Sequence, residues 1–192
     1  RDEGIPVILD VKRGDIGKTA AAYADEAFSF FKADAVTLAP YMGLDSIKPF
    51  IDHSPDKGYY VLNRTSNKSA VDIQDLEVNG EPLYIKVSRK ILDWYHPGIG
   101  AVVGATYTRE LSEIMDVFSS GNREVPLLIP GVGTQGGSAS EVTEILRKYG
   151  DIRIHRINSS SGINYAYKRF EGMHFADAAV KALNELNQEI GL

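Results

Sequence analysis

The sequence predicts an α/β fold of the (β/α)8 TIM-barrel class, incomplete here, with about six of eight βα units and the first two missing. Three observations predict it. Short apolar runs alternate with amphipathic or alanine-rich stretches along the chain, which is how parallel strands joined by crossover helices read. Charged, glycine-rich and hydroxyl-bearing segments gather just after the apolar runs, and a barrel collects those positions on one face. No G-x-G-x-x-G opens the first βα turn, which weakens an open Rossmann-type sheet.

The elements follow in order. Residues 6–10 read as a strand and 16–32 as a helix, with Ala20, Ala21, Ala22, Ala24 and Ala27 as strong helix formers. A short strand at 35–39 and a short helix at 44–51 come next, then a strand at 59–64. Residues 66–79 are polar and end in Asn79-Gly80, so they read as a long loop closed by a turn. A helix at 82–95 closes the third unit, and a strand at 99–104 with a helix at 108–118 forms the fourth. A strand at 125–129 and a helix at 139–149 form the fifth. A strand at 152–157, a short helix near 163–168 and an amphipathic helix at 175–190 complete the sixth. The chain opens on Arg1 and reaches its first strand within a few residues. Residues 1–192 are therefore expected to be one partial barrel domain, the C-terminal portion of a longer chain.

Composition narrows the function. With 192 residues, 43% of them hydrophobic, the chain can bury one sizeable core. A net charge of -5 argues against nucleic acid or an anionic membrane as a partner. There are no cysteines, hence no disulfide framework and no thiolate site, which suits a cytoplasmic setting. No apolar run reaches the length of a membrane span. His53, His96, His155 and His174 lack metal-ligand spacing and are expected to be structural or superficial.

Asp10-Val11-Lys12-Arg13-Gly14-Asp15, at the end of the first strand, is the most informative segment. A strand's side chains alternate with period two, so Asp10 and Lys12 point the same way. Two carboxylates bracketing one ammonium suit a site that holds charge ready for a reaction; taken alone, a solvated strand end is the commoner explanation, which the polar and glycine-rich segments at four other strand ends reverse. Pro130-Gly131-Val132-Gly133-Thr134-Gln135-Gly136-Gly137 reads either as a backbone cradle for an anion, aided by a helix starting near Ser138, or as a flexible turn. Ser66 and Asn67 could read the edge of a heterocycle, or serve as a turn or cap.

Together these segments resemble orotidine 5′-phosphate decarboxylases, most closely the subgroup whose motif reads D-x-K-R-G-D-I-G-x-T. Asp10-Val11-Lys12-Arg13-Gly14-Asp15-Ile16-Gly17-Lys18-Thr19 fits it throughout. Pro40-Tyr41-Met42-Gly43, Thr65-Ser66-Asn67 and the Pro130 segment match later motifs in order. The resemblance implies a homodimeric barrel without metal or organic cofactor, acting on a nucleotide to make uridine 5′-phosphate in pyrimidine biosynthesis. It implies that Asp10 lies near the substrate carboxylate and that Lys12 protonates C6. Asp15, Ile16 and Thr19 would reach into the partner subunit's site. Ser66 would contact the pyrimidine edge with Pro130 beside it, and Gln135, Ser160 and Ser161 would lie toward the phosphate.

The chain departs from the family twice. A catalytic lysine and a ribose-binding aspartate, from the family's first two strands, have no counterpart. Ser161 stands where the family has a phosphate-gripping arginine, a guanidinium fork that a hydroxyl cannot replace; Arg156, Lys168 and Arg169 are the nearby cations. Two rivals belong beside this reading. One is a Mg²⁺-dependent sugar-phosphate decarboxylase or aldolase of the same barrel group. The other is a non-catalytic nucleotide-binding descendant.

Overall fold

Strands form where the apolar runs are short and bounded by turn residues. β1 spans Ile8–Arg13, β2 Ala35–Leu38 and β3 Gly58–Leu62. A hairpin of β4 (Glu77–Val78) and β5 (Glu81–Pro82) follows, then β6 (Ile99–Val102), β7 (Leu127–Pro130) and β8 (Arg156–Asn158). The helices are α1 (Gly17–Asp25), α2 (Lys48–His53), α3 (Leu83–Asp93), α4 (Thr108–Ser120), α5 (Ala139–Leu146), α6 (Ser160–Asn164) and α7 (Phe175–Ile190). This is a computed structural model, and it describes residues 3–133 and 136–191.

Six strands pair in the order β1-β2-β3-β6-β7-β8, every pair parallel, in a curled sheet that is part of a barrel. β2 and β6 are buried along their whole length, as expected of parallel strands covered on both faces. Helices pack outside. Phe50 of α2, Ile91 of α3, and Leu111, Ile114 and Phe118 of α4 join Tyr59, Ile99 and Leu127 of the sheet in one apolar core. Among the described residues, no helix is long and apolar enough to cross a membrane.

Three expectations need correction. The helix expected over 16–32 is regular only to Asp25 and continues as a π-helical turn, Glu26–Phe30. Glu26, its first residue, is tied to Arg13 at the end of β1 by an ion pair of 2.6 Å. The loop expected over 66–79 contains a 3-10 helix, Lys68–Asp72, and the first strand of the β4–β5 hairpin. Asn79 and Gly80 both take positive φ (55° and 75°), the geometry of a tight hairpin turn. Strands of two residues carry no period to read. The strand expected over 152–157 begins as a 3-10 turn, Ile152–Ile154, because Asp151 accepts the Arg153 N–H through its side chain. Only Arg156–Asn158 pairs with β7.

His155 is structural, as its spacing suggested. It is buried, and its Nδ1 accepts the Leu127 N–H at 3.0 Å. Burial, helped by the Arg156 cation, pushes its pKa down to about 4 from 6.5. The folded state then resists a proton that the unfolded chain accepts, so stability present above pH 6.5 should be lost as pH falls toward 4. Thermal melting of the full-length protein should show this decline. His155→Asn, which keeps an acceptor but cannot titrate, should flatten the curve in that window; an unchanged slope would clear His155 of the effect.

Candidate active site

Parallel pairing sends the carboxyl ends of all six strands to one edge of the sheet, and Asp10, Lys12, Ser66 and Pro130 sit at or just after those ends. β1 is irregular at this point. Leu9 pairs with Val36 and Arg13 with Leu38, so Asp10, Val11 and Lys12 stand opposite Thr37 alone. Bulges of this kind re-aim side chains. Lys12 takes a left-handed backbone, φ 49°, an arrangement that costs a non-glycine residue on the order of 1–3 kcal/mol and occurs where the surroundings hold it. Its Nζ lies 2.7 Å from Asp10 Oδ1, so the two side chains do share one face.

Asp15 does not join them within the chain. Its Oδ1 accepts the Ile16 N–H at 2.8 Å, just ahead of α1, and no ion pair among the described residues links it to Lys12. Ile16 and Thr19 are exposed on the first turn of α1. Tyr41, Met42 and Leu44, in the segment after β2, are exposed apolar residues.

The segment after β3 is tightly organised. The Thr65 N–H donates to Gln74 Oε1 at 2.8 Å, and the Thr65 hydroxyl donates to Asn67 Oδ1 at 2.6 Å. Beneath it Arg64 is 1% exposed. Its Nε lies 2.7 Å from Asp75 Oδ1, Nη2 donates to Asp75 Oδ2, and Nη1 donates to the Thr65 carbonyl. The Tyr107 ring lies under the guanidinium, 4.1 Å away. Ser66 packs so closely on Gly104 that a Cβ there would sit 2.7 Å from the Ser66 nitrogen. Gly137 meets Ala105 in the same way, at 2.6 Å. The loops after β3, β6 and β7 are thereby stacked against one another.

Pro130 is half-buried at the end of β7, and its carbonyl accepts the Ala105 N–H. Gln135 lies outside the described residues. Ser160 is exposed on α6, while Ser161 lines a cavity of about 670 Å³ with Gly133, Ser159, Lys168 and Arg169. This cavity lies between the β7 and β8 loops and α7, and Lys12 is not among its lining residues. The helix start expected near Ser138 is real but not open to an anion. Ser138 Oγ accepts the Glu141 N–H, and Glu189 Oε1 accepts the Ala139 and Ser140 N–H groups. Two of the three nearby cations are also engaged. Arg169 pairs with Glu185 at 2.6 Å, and Arg156 donates to the Arg153 and His155 carbonyls. Lys168 lies over the Tyr165 ring at 4.9 Å, with no carboxylate partner among the described residues.

Comparison with known proteins supplies the family. The model described as "Orotidine 5'-phosphate decarboxylase / HUMPS family" matches residues 1–169. The chain belongs to this family. It is 49% identical over 178 residues to an orotidine 5'-phosphate decarboxylase of Ralstonia nicotianae, covering 92% of this chain and 62% of the relative. It is 46% identical over 191 residues to one from Dechloromonas aromatica, covering 98% of this chain and 67% of the relative. The Leishmania donovani OMP decarboxylase superposes with a TM-score of 0.78 at 34% identity, covering 98% of this chain and 70% of that one. The UMP synthase of the same organism gives 0.80 at 36% identity, covering 97% and 40%. The chain thus spans about 62% of the length of the Ralstonia relative.

Sequence reasoning missed Thr37 and Arg64. The signal for Thr37 was a lone hydroxyl inside the apolar run Ala35-Val36-Thr37-Leu38. For Arg64 it was a cation directly after a buried strand, eleven residues before an aspartate. Asp75→Ala would leave the buried Arg64 without its carboxylate and should cost on the order of 3 kcal/mol in chemical denaturation of the full-length protein. The exposed control Asp72→Ala should stay within about 0.5 kcal/mol. Equal effects would mean that the pair does not hold this loop.

Proposed function

We propose that the full-length protein converts orotidine 5′-phosphate to uridine 5′-phosphate and CO₂ as a cytoplasmic enzyme. Its site would use no metal or organic cofactor and would be completed by two further βα units and a second copy of the chain. The observation that carries the reading is the Lys12 ammonium beside Asp10 at the carboxyl end of β1, in a chain of this family. Exposed apolar residues at the start of α1 and after β2 (Ile16, Tyr41, Met42 and Leu44) support a partner subunit. Support for the additional units comes from the length of the relatives and from β1 and β8, each paired on one side only.

The chemistry is electrostatic. Loss of CO₂ breaks the bond to C6 and leaves its electron pair on that carbon. Lys12 stabilises the charge as it develops and then transfers a proton to C6, and solvent re-protonates the amine. Asp10 stands near the departing carboxylate, so repulsion in the bound substrate is relieved as CO₂ leaves. Asp15, Ile16 and Thr19 serve the partner's site. Ser66 meets the pyrimidine edge, with Pro130 beside it. Ser160 and Ser161 face the phosphate, the family resemblance gives Gln135 the same role, and Lys168 is the neighbouring cation with no carboxylate partner among the described residues. Binding the phosphate supplies remote binding energy that can be expressed in the transition state.

Lys12→Ala in the full-length protein should leave nucleotide binding measurable while turnover falls by at least about a thousandfold, roughly 4 kcal/mol of barrier. A variant keeping a tenth of wild-type turnover would remove Lys12 as the proton donor. A shared site makes a separate prediction. Mixing Asp15→Ala subunits with Lys12→Ala subunits should restore part of the activity, because one of the two sites in each mixed dimer regains both wild-type residues. No recovery, with mixed dimers demonstrated, would count against it.

A further inference from the structure

We propose that Thr37 is a positioning residue for the Lys12–Asp10 pair: its buried hydroxyl holds the bulge of β1 in the one shape that brings both side chains to the same point. The inference rests on the decarboxylase reading for its catalytic consequence, though not for its geometry. Thr37 is fully buried, and it is the only polar residue in β2. A hydroxyl in such a strand needs partners, and here both are on the bulge. The Lys12 N–H donates to Thr37 Oγ1 at 2.9 Å, and the Thr37 hydroxyl donates to Asp10 Oδ1 at 2.9 Å.

The direction of these bonds is dictated. A backbone N–H can only donate, so the Thr37 oxygen accepts there and its single proton goes to the carboxylate. Asp10 Oδ1 also accepts from Lys12 Nζ. The result is a closed circuit: Lys12 backbone to Thr37, Thr37 to Asp10, and Asp10 back to the Lys12 ammonium. The bulge costs the β1–β2 ladder its regular pairing, and the left-handed Lys12 turns its N–H out of register. Thr37 supplies the acceptor that β2's backbone cannot. Valine, of the same shape, would leave the Lys12 N–H without this acceptor and free Asp10 to rotate. Serine would keep both bonds.

The test compares Thr37→Val and Thr37→Ser in the full-length enzyme, with steady-state kinetics and hydrogen exchange at the Lys12 amide. Thr37→Val should lower kcat by about tenfold or more while KM for orotidine 5′-phosphate stays within about threefold, since the loss falls on the reacting pair rather than on nucleotide binding. Thr37→Ser should recover kcat to within about threefold of wild type. Lys12 amide exchange should accelerate by about tenfold or more in the valine variant only. Thr37→Val with unchanged kcat, or with its loss wholly in KM, would overturn the proposal; so would unchanged amide exchange. If the valine variant does not fold, Thr37→Cys, a weaker hydrogen-bonding near-isostere, takes its place, and a kcat equal to that of Thr37→Ser would overturn the proposal. A wild-type enzyme that binds the nucleotide without turnover would remove the decarboxylase reading. The positioning role would then stand or fall on the Lys12 amide alone.

Discussion

Six strands running the same way impose one constraint from which the site follows: every βα turn must emerge at the same edge. Residues far apart in sequence meet there without any loop having to reach. Asp10 and Lys12 come from β1, Thr65 and Ser66 follow β3, and Pro130 ends β7. Close packing then removes their freedom. Ser66 rests on Gly104, Ala105 rests on Gly137, and the Ser159 hydroxyl donates to the Val132 carbonyl. A side chain at either glycine would push adjacent loops apart. The functional edge is therefore a packed layer whose parts constrain one another, and such layers hold reacting groups in place better than independent loops do.

How much of this was legible follows from the kind of signal involved. Apolar runs and helix formers marked the strands and the long helices, and the last helix, Phe175–Ile190, matched its expected limits. The Lys12–Asp10 pairing followed from strand periodicity, although the strand is bulged where the pair forms. The alternation survives because Val11 points inward between two exposed residues. The bulge itself was invisible. It depends on register against β2, and register is a property of two segments that no single run encodes. Arg64 was hidden for a related reason: its significance lies in Asp75 and Tyr107, which the fold brings to it.

Electrostatics also bear on the helix start that follows the glycine-rich segment. A helix N-terminus attracts an anion because its first N–H groups lack acceptors. At α5 those groups already meet Ser138 and the Glu189 carboxylate. A phosphate brought there would face a negative charge, so the helix start is not its natural seat. The cavity lined by Ser161 and Lys168 is not free of negative charge either, since Glu185 and Glu189 also line it. A lone lysine is a point charge on a flexible stem, whereas an arginine in place of Ser161 would offer a fixed fork.

Lys12 and Asp10 are 51% and 58% exposed, and in water two unit charges at such a distance interact by only about 1 kcal/mol. An ammonium so solvated could do little to stabilise a developing carbanion. The same pair in a dry, enclosed site acts several-fold more strongly. β1 is an edge strand here, with its outer side unpaired, and the apolar residues beside it face solvent. Among the described residues, no strand covers the outer side of β1 beside the bulge. The geometry of the pair is built into β1 and β2, while its strength depends on what encloses it.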